Sequence, residues 1–273
     1  MQDRPTDEPP EDWVAQALLL TGHFEDSANP WSGVTDSFDG MGVSLGVLQW
    51  NLGQGSLQPL VKAAGEAAVK AHMPAFGADF WKAVTAPARA WQQALAGWFT
   101  GTRLKPAVRA ELKAFTGSDP FRAQQVTAAG AVARLSFRRA TEWAAADPSF
   151  PQVSKRLFCW FFDVTTQNGS MKGLTVRDVE TFKAAQADPV KTVCEWLRHA
   201  PRTLAGARDA PLNADLWETL AEADRRQLLV MSYLRAARAN PRWAVDVMNR
   251  KGTIAAGRGW VHRAFHDLEA WLA

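Results

Sequence analysis

Residues 21–60 read TGHFEDSANPWSGVTDSFDGMGVSLGVLQWNLGQGSLQPL, and the change of pattern along this stretch sets the reading of the whole chain. Upstream of it, Trp13, Val14, Ala17, Leu18, Thr21 and Phe24 recur at helical spacing behind Asp12, a good N-cap, which predicts a helix over 12–25 that ends on Glu25. Residues 26–42 are dense in Ser, Asn, Pro, Gly and Asp and predict a loop, followed by a short strand over 43–50, the only convincing strand region. Beyond it, alanine-rich apolar periodicities punctuated by Gly and Pro predict helices over 56–70, 75–84, 87–99, 106–115 and 120–146. Residues 156–167 are apolar on nearly all sides, as a helix at the centre of a core must be, and Asn168 and Gly169 stop it. Further helices are predicted over 175–187, 189–199, 213–239, 243–249 and 259–272, so the chain reads as mainly α with one small β-hairpin.

Bulk properties narrow the class. A chain of 273 residues with 47% apolar and 22% charged residues can bury one substantial core. Residues 1–11, acidic and proline-rich, read as a flexible leader, and 12–273 as a single two-lobed domain. The 31 basic and 28 acidic residues leave a mixed surface, without the dense Lys/Arg block interleaved with aromatics that follows a nucleic-acid backbone. No run of about 18 apolar residues offers a membrane span, and the first residues lack the basic start and apolar stretch of a secretory signal. Two cysteines, Cys159 and Cys194, can neither staple a chain of this length nor build a four-ligand zinc site, and are expected as buried thiols. Most of the 13 tryptophans are expected to fill or cover the core.

The chemistry-bearing groups are a Glu at a helix end and an Asp in a Gly-flanked polar loop. Acetal cleavage needs such a pair: one protonated acid at the leaving oxygen and one ionised carboxylate that directs water. Phe24 and its apolar neighbours are expected to desolvate Glu25 and keep it protonated, whereas Asp39 is expected to stay ionised. Asp36 competes for the base role. Trp31 and Trp50 are expected to offer aromatic faces to sugar rings, with Gln49 and Asn51 as polar contacts.

The run Asp39-Gly-Met-Gly-Val-Ser-Leu-Gly, continuing into Gly53-Gln-Gly-Ser-Leu, resembles the D-G-x-G-x-T-x-G signature of family-46 chitosanases, which belong to the lysozyme-like superfamily. The resemblance is strong over about 40 residues and implies a two-lobed lysozyme-like helical fold with a β-hairpin at the active-site cleft. It assigns the general base to Asp39, water positioning to Ser44 and the general acid to Glu25, with inversion at the sugar carbon. No metal or organic cofactor is implied. Over residues 162–169 the likeness is weaker; it places Asp163 on a central helix and suggests that Arg238 and Arg250 link Asp163 to Glu25.

Where the chitosanases carry an acidic residue that reads the ammonium of glucosamine, this chain has Ser56. Without that carboxylate a neutral N-acetylated sugar is better accommodated, so the expected partner is the glycan strand of peptidoglycan, with chitosan as the alternative. A wall-cutting enzyme without a visible signal would reach its substrate through a holin or a secretion system, work as a monomer, and pair with an immunity protein if injected. Two other chemistries find partial matches in the chain. Residues 42–46 match the G-x-S-x-G nucleophile elbow around Ser44, with His262 or His266 as base, but loop precedes and strand follows where the elbow needs strand then helix. His262 and His266, four apart, would share one helix face as metal ligands, yet no third ligand accompanies them. A wall-binding module that had lost its acid is opposed by the presence of both Glu25 and Asp39.

Overall fold

Val34–Thr35, Ser44–Leu45 and Trp50–Asn51 form a three-stranded antiparallel sheet, in the register Val34↔Leu45 and Ser44↔Asn51, so the single strand expected over 43–50 is instead a hairpin of two short strands with a third strand in front of it. The computed structural model describes residues 8–24, 29–37, 41–87 and 91–273. They are mainly helical, with three small antiparallel sheets. The chain divides into two compact units, one from Leu18–Ala131 and the other from Val132–Ala273 with the residues up to Ala17. The first helix spans Glu11–His23, with Asp12 in its first turn rather than at its cap, where its charge complements the helix dipole.

In the Leu18–Ala131 unit the core is aromatic. Phe115 stands between Phe121 and Phe80, with ring centroids 4.8 and 6.0 Å away, and Phe80 also packs on Trp98 at 5.8 Å. The helix expected over 56–70 is two, Gln58–Ala64 and Glu66–His72, because Gly65 between them adopts φ +92°, outside the helical region. The helix expected over 87–99 is replaced by Trp91–Ala94, the 3₁₀ turn Ala96–Trp98 and a strand, Phe99–Thr100, paired with Arg103–Leu104. Its apolar spacing reflects residues that reach the core from irregular chain: Trp91, Leu95 and Trp98 are all buried. The helix expected over 120–146 breaks into Asp119–Ala128 and Gly130–Ala146.

The Val132–Ala273 unit is built on the helix Lys155–Asp163, capped by Ser154, whose hydroxyl accepts from the Leu157 N–H, and buried at every residue from Arg156 to Asp163. Trp160 at its centre donates its indole N–H to Ser232 at 2.9 Å, so the ring is buried without an orphaned donor. Ser232 lies on the helix Ala223–Ala237, which packs along Ala244–Ala256. The second of these runs seven residues past the expected end at Asn249, through Gly252. A Cβ on Gly252 would lie 2.4 Å from the Trp217 ring, so this glycine serves close packing instead of ending the helix. Gly257, at φ +84°, is the actual C-terminal stop.

The terminal helix expected over 259–272 is also corrected. Arg258–Val261 and Ala264–Asp267 form an antiparallel hairpin, and only Glu269–Leu272 is helical. Asn213, itself buried, decides this: its side chain accepts from the Trp260 N–H at 2.6 Å and donates to the Trp260 carbonyl at 2.8 Å, satisfying the outward edge of the strand. The run expected over 213–239 is accordingly interrupted, as Ala210–Trp217 and Ala223–Ala237.

Cys159 and Cys194 are both buried, as expected, and desolvation pushes each thiol up to about 12. Neither therefore reacts as a thiolate at neutral pH. Titration with a thiol reagent is expected to find no reactive cysteine in the native protein and two after denaturation; rapid labelling before unfolding would contradict this packing.

Candidate functional site

The two residues assigned to the carboxyl pair, Glu25 and Asp39, lie outside the described residues. The chain that flanks them is described. Before Asp39, the Asp36 carboxylate accepts from the Leu104 N–H at 2.8 Å and is paired with the Arg109 guanidinium, which also donates to the Val34 carbonyl. Asp36, weighed as an alternative base, is therefore engaged in holding the first strand to the 99–104 hairpin and the helix Pro106–Thr116. Across the loop, the Gly42 N–H donates to the Ser37 hydroxyl at 3.0 Å, and Gly53 N–H donates to Met41 O at 2.8 Å.

Gly42 and Gly46 of the DGMGVSLG run have backbone reasons. Gly42 and Gly46 adopt φ +78° and +80°, and a Cβ on Gly46 would lie 2.5 Å from the side-chain oxygen of Gln125. Only glycine meets both demands. Ser44 sits inside an antiparallel strand between Thr35 and Asn51, so the strand-to-helix elbow of a serine hydrolase is not what surrounds it.

Asn51 organises the polar face of this sheet. Nearly buried, it donates from Nδ2 to the Ser44 hydroxyl at 2.9 Å and accepts at Oδ1 from the Gln54 N–H at 2.9 Å. Its own N–H donates to the Ser56 hydroxyl at 2.8 Å. Accepting from Asn51 leaves the Ser44 hydroxyl proton available to donate elsewhere, the property a water-positioning residue needs. Ser56 is exposed and closes the 51–56 turn. Gln49, at φ +56°, donates to Gly46 O and accepts from the Thr35 hydroxyl. Trp50 is half-buried against the unit's core, and the half-buried Trp31 ring lies 6.0 Å from the Arg122 guanidinium. Trp31, Ser44, Gln49, Trp50, Asn51 and Ser56 thus all belong to the Leu18–Ala131 unit.

Gln125, which sequence reasoning missed, clamps this region. Fully buried on the helix Asp119–Ala128, it accepts from the Val47 N–H at 2.9 Å and donates to the Thr116 carbonyl at 3.0 Å. A lone glutamine on a helix carries no sequence signal for such a role.

In the Val132–Ala273 unit, Asp163 is completely buried and its carboxylate accepts from Arg250 Nε at 2.7 Å and Lys251 Nζ at 2.8 Å. Burial alone would raise the Asp163 pKa, but Arg250 and then Lys251 outweigh it and hold the carboxyl below its ordinary range. The Lys251 ammonium is lowered, chiefly by burial, with Asp163 opposing. Arg238, expected beside Asp163, is instead paired with Asp178 at 3.4 Å, and Lys251 takes the place assigned to it. Arg250 and Lys251 are consecutive, and the second was overlooked because a lysine adjacent to an arginine normally points to water. Directly after Asp163 the chain forms a π-helical turn, Val164–Asn168, ended by Gly169 at φ +75°.

No family model, no curated protein and no solved structure matches this chain.

Metal chemistry has no gathered ligand set among the described residues. His262 and His266, which would have shared a helix face, stand instead on the terminal hairpin, His262 in its turn and His266 in the second strand.

Removing one member of a buried ion cluster leaves the others uncompensated. Asp163→Asn is expected to cost about 3–5 kcal/mol in urea unfolding, whereas Lys251→Met should cost less because Arg250 still neutralises Asp163. Since the folded-state pKa of Asp163 is depressed, its stabilisation is complete above the ordinary carboxylate range and is lost as pH falls through the lowered value. Equal losses for the two variants would show that the cluster is not organised around Asp163.

Proposed function

We propose that this chain is a glycoside hydrolase of lysozyme-like fold that cuts the β-1,4-linked glycan backbone of peptidoglycan, with Glu25 as general acid and Asp39 as general base. The observation that carries the reading is the Ser44–Asn51–Ser56 hydrogen-bond chain on the glycine-bounded sheet that follows Asp39. A hydroxyl held by a buried amide, with its own proton left to direct a water, suits the water-positioning role that the D-G-x-G-x-T-x-G resemblance gives Ser44. The helix Glu11–His23 stops two residues before Glu25, in keeping with an acid at a helix end.

In this mechanism Glu25 gives its proton to the glycosidic oxygen as the bond to the anomeric carbon lengthens. Asp39 takes a proton from water, oriented with help from Ser44, and that water attacks the opposite face of the sugar. The product is inverted, which calls for a carboxyl separation of roughly 6.5–9.5 Å. Ser56 supports the substrate choice, because its short neutral side chain is turned into the 51–56 turn and offers no carboxylate to a glucosamine ammonium. Delivery by a holin or secretion system, action in the cell wall and an immunity partner belong to the same reading.

Purified peptidoglycan and chitosan incubated with wild type, Glu25→Gln and Asp39→Asn provide the test, with products identified by mass spectrometry. Wild type should release muropeptides with new reducing ends, and each variant should lose about 10²–10⁴-fold in rate. Undiminished cleavage by Glu25→Gln would sink the acid assignment, and activity on chitosan alone would transfer the substrate.

A further inference from the structure

The Val132–Ala273 unit carries a recess of about 510 Å³ lined by the 202–209 loop, Trp243 and Asp246, and the turn of the terminal hairpin. Its floor is fixed. Asn249, buried, donates to the Gly206 carbonyl at 2.8 Å, and a Cβ on Gly206 would meet the Asp246 backbone at 2.9 Å, so the loop lies tight against its helix. The hairpin turn is held from two sides: the Arg263 N–H donates to Asp209 at 3.1 Å, and His262 lies 3.4 Å from Asp246.

That turn is strained. His262 and Arg263 are consecutive non-glycine residues at φ +52° and +68°, positions where glycine or asparagine would be at ease. Strain of this kind persists only when the surroundings impose it, and it is a reason to ask what the side chains do there. Both line the recess. So do Arg202 and Arg208, and none of the three arginines forms an ion pair among the described residues. Trp243, 47% exposed, offers a large aromatic surface at the edge, with the Arg242 guanidinium 5.2 Å from its ring.

We propose that this recess binds a sugar acid, a pyranose bearing one carboxylate, with the ring against Trp243, the acid group on Arg208 and Arg263, and the hydroxyls facing Asp246. Guanidinium forks match a carboxylate in two parallel hydrogen bonds. The two aspartates select among anions: Asp246 accepts from hydroxyls, and together with the buried Asp209 it repels a dianionic phosphate or a polyphosphate backbone. An uncharged sugar would leave the arginines unused. The recess is built entirely from residues of the Val132–Ala273 unit, and the inference stands whether or not the chain is a hydrolase.

Calorimetric titration with N-acetylmuramic acid, N-acetylglucosamine and N-acetylglucosamine 6-phosphate tests it, since the first two differ only in the lactyl carboxylate arm. The acid sugar should bind wild type, and the neutral and phosphorylated sugars about tenfold more weakly or worse. Arg263→Gly removes the guanidinium while relieving the positive φ, so its melting temperature should hold or rise while affinity falls about tenfold. Arg208→Gln and Trp243→Ala should weaken binding likewise, and glycan hydrolysis by all three should match wild type. The proposal is overturned if N-acetylmuramic acid does not bind, if the neutral sugar binds equally, if the phosphate sugar binds more tightly, or if Arg263→Gly keeps full affinity.

Discussion

Asp163 occupies the last position of an entirely buried helix, where an unpaired carboxylate would be too costly to keep charged. Two cations reach it, both from the neighbouring helix Ala244–Ala256, and both are themselves almost wholly enclosed. The three charges therefore stabilise one another. Sliding one helix past the other would separate Asp163 from Arg250 and Lys251 and strand all of them in an apolar interior, so the cluster fixes the register of the two helices at the centre of the unit. Gly252, one residue beyond Lys251, lets Trp217 pack against the same helix, and Ser232 takes the Trp160 indole from a third. The hairpin and the arginine-lined recess are carried on this frame through Asn213 and Asn249, which bond to each other at 3.0 Å.

The Leu18–Ala131 unit solves a related problem with neutral groups. Its three-stranded sheet is only two residues long in each strand, too short for ladder hydrogen bonds to define it. Buried amides supply what the ladder lacks: Gln125 holds the Val47 N–H, and Asn51 bridges Ser44 to the following turn. A polar group enclosed with its partners satisfied is a rigid support, because any rearrangement leaves a donor or acceptor without solvent or partner. Such a support is what a hydrolytic site requires of the hydroxyl and amide groups beside its carboxyls, and it is why the hydrolase reading weighs this sheet more heavily than the surrounding helices.

Much of the architecture was legible in residue order. The apolar run of 156–167 announces a central buried helix, and the structure has it at Lys155–Asp163. The strand signal after residue 43 is found as sheet, whereas the Ser/Asn/Gly-rich stretch before it contributes a strand of its own, Val34–Thr35. Helix boundaries were less legible. Gly65 interrupts a helix and Gly252 does not, although the two are alike in sequence, because one takes a positive φ and the other accommodates a tryptophan ring. The terminal segment carries Val261, Phe265, Leu268 and Leu272 at helical spacing, and Asn213, 47 residues upstream of Trp260, is what holds its hairpin as strand.

The sequence by itself determined which segments are apolar enough to be buried and where the chain must turn, and it set the expectation of acid–base chemistry at Glu25 and at Asp39, the first residue of the D-G-x-G-x-S-x-G run. Those are local properties, set by side-chain hydration and backbone freedom within a few residues. Tertiary structure alone decided that Asp163 pairs with Lys251 and not Arg238, that Gln125 supports the sheet, and that Arg202, Arg208 and Arg263 surround one recess. Pairing of buried charges and amides depends on which atoms desolvation brings within about 3 Å of each other, and that distance is a property of packing, not of spacing along the chain.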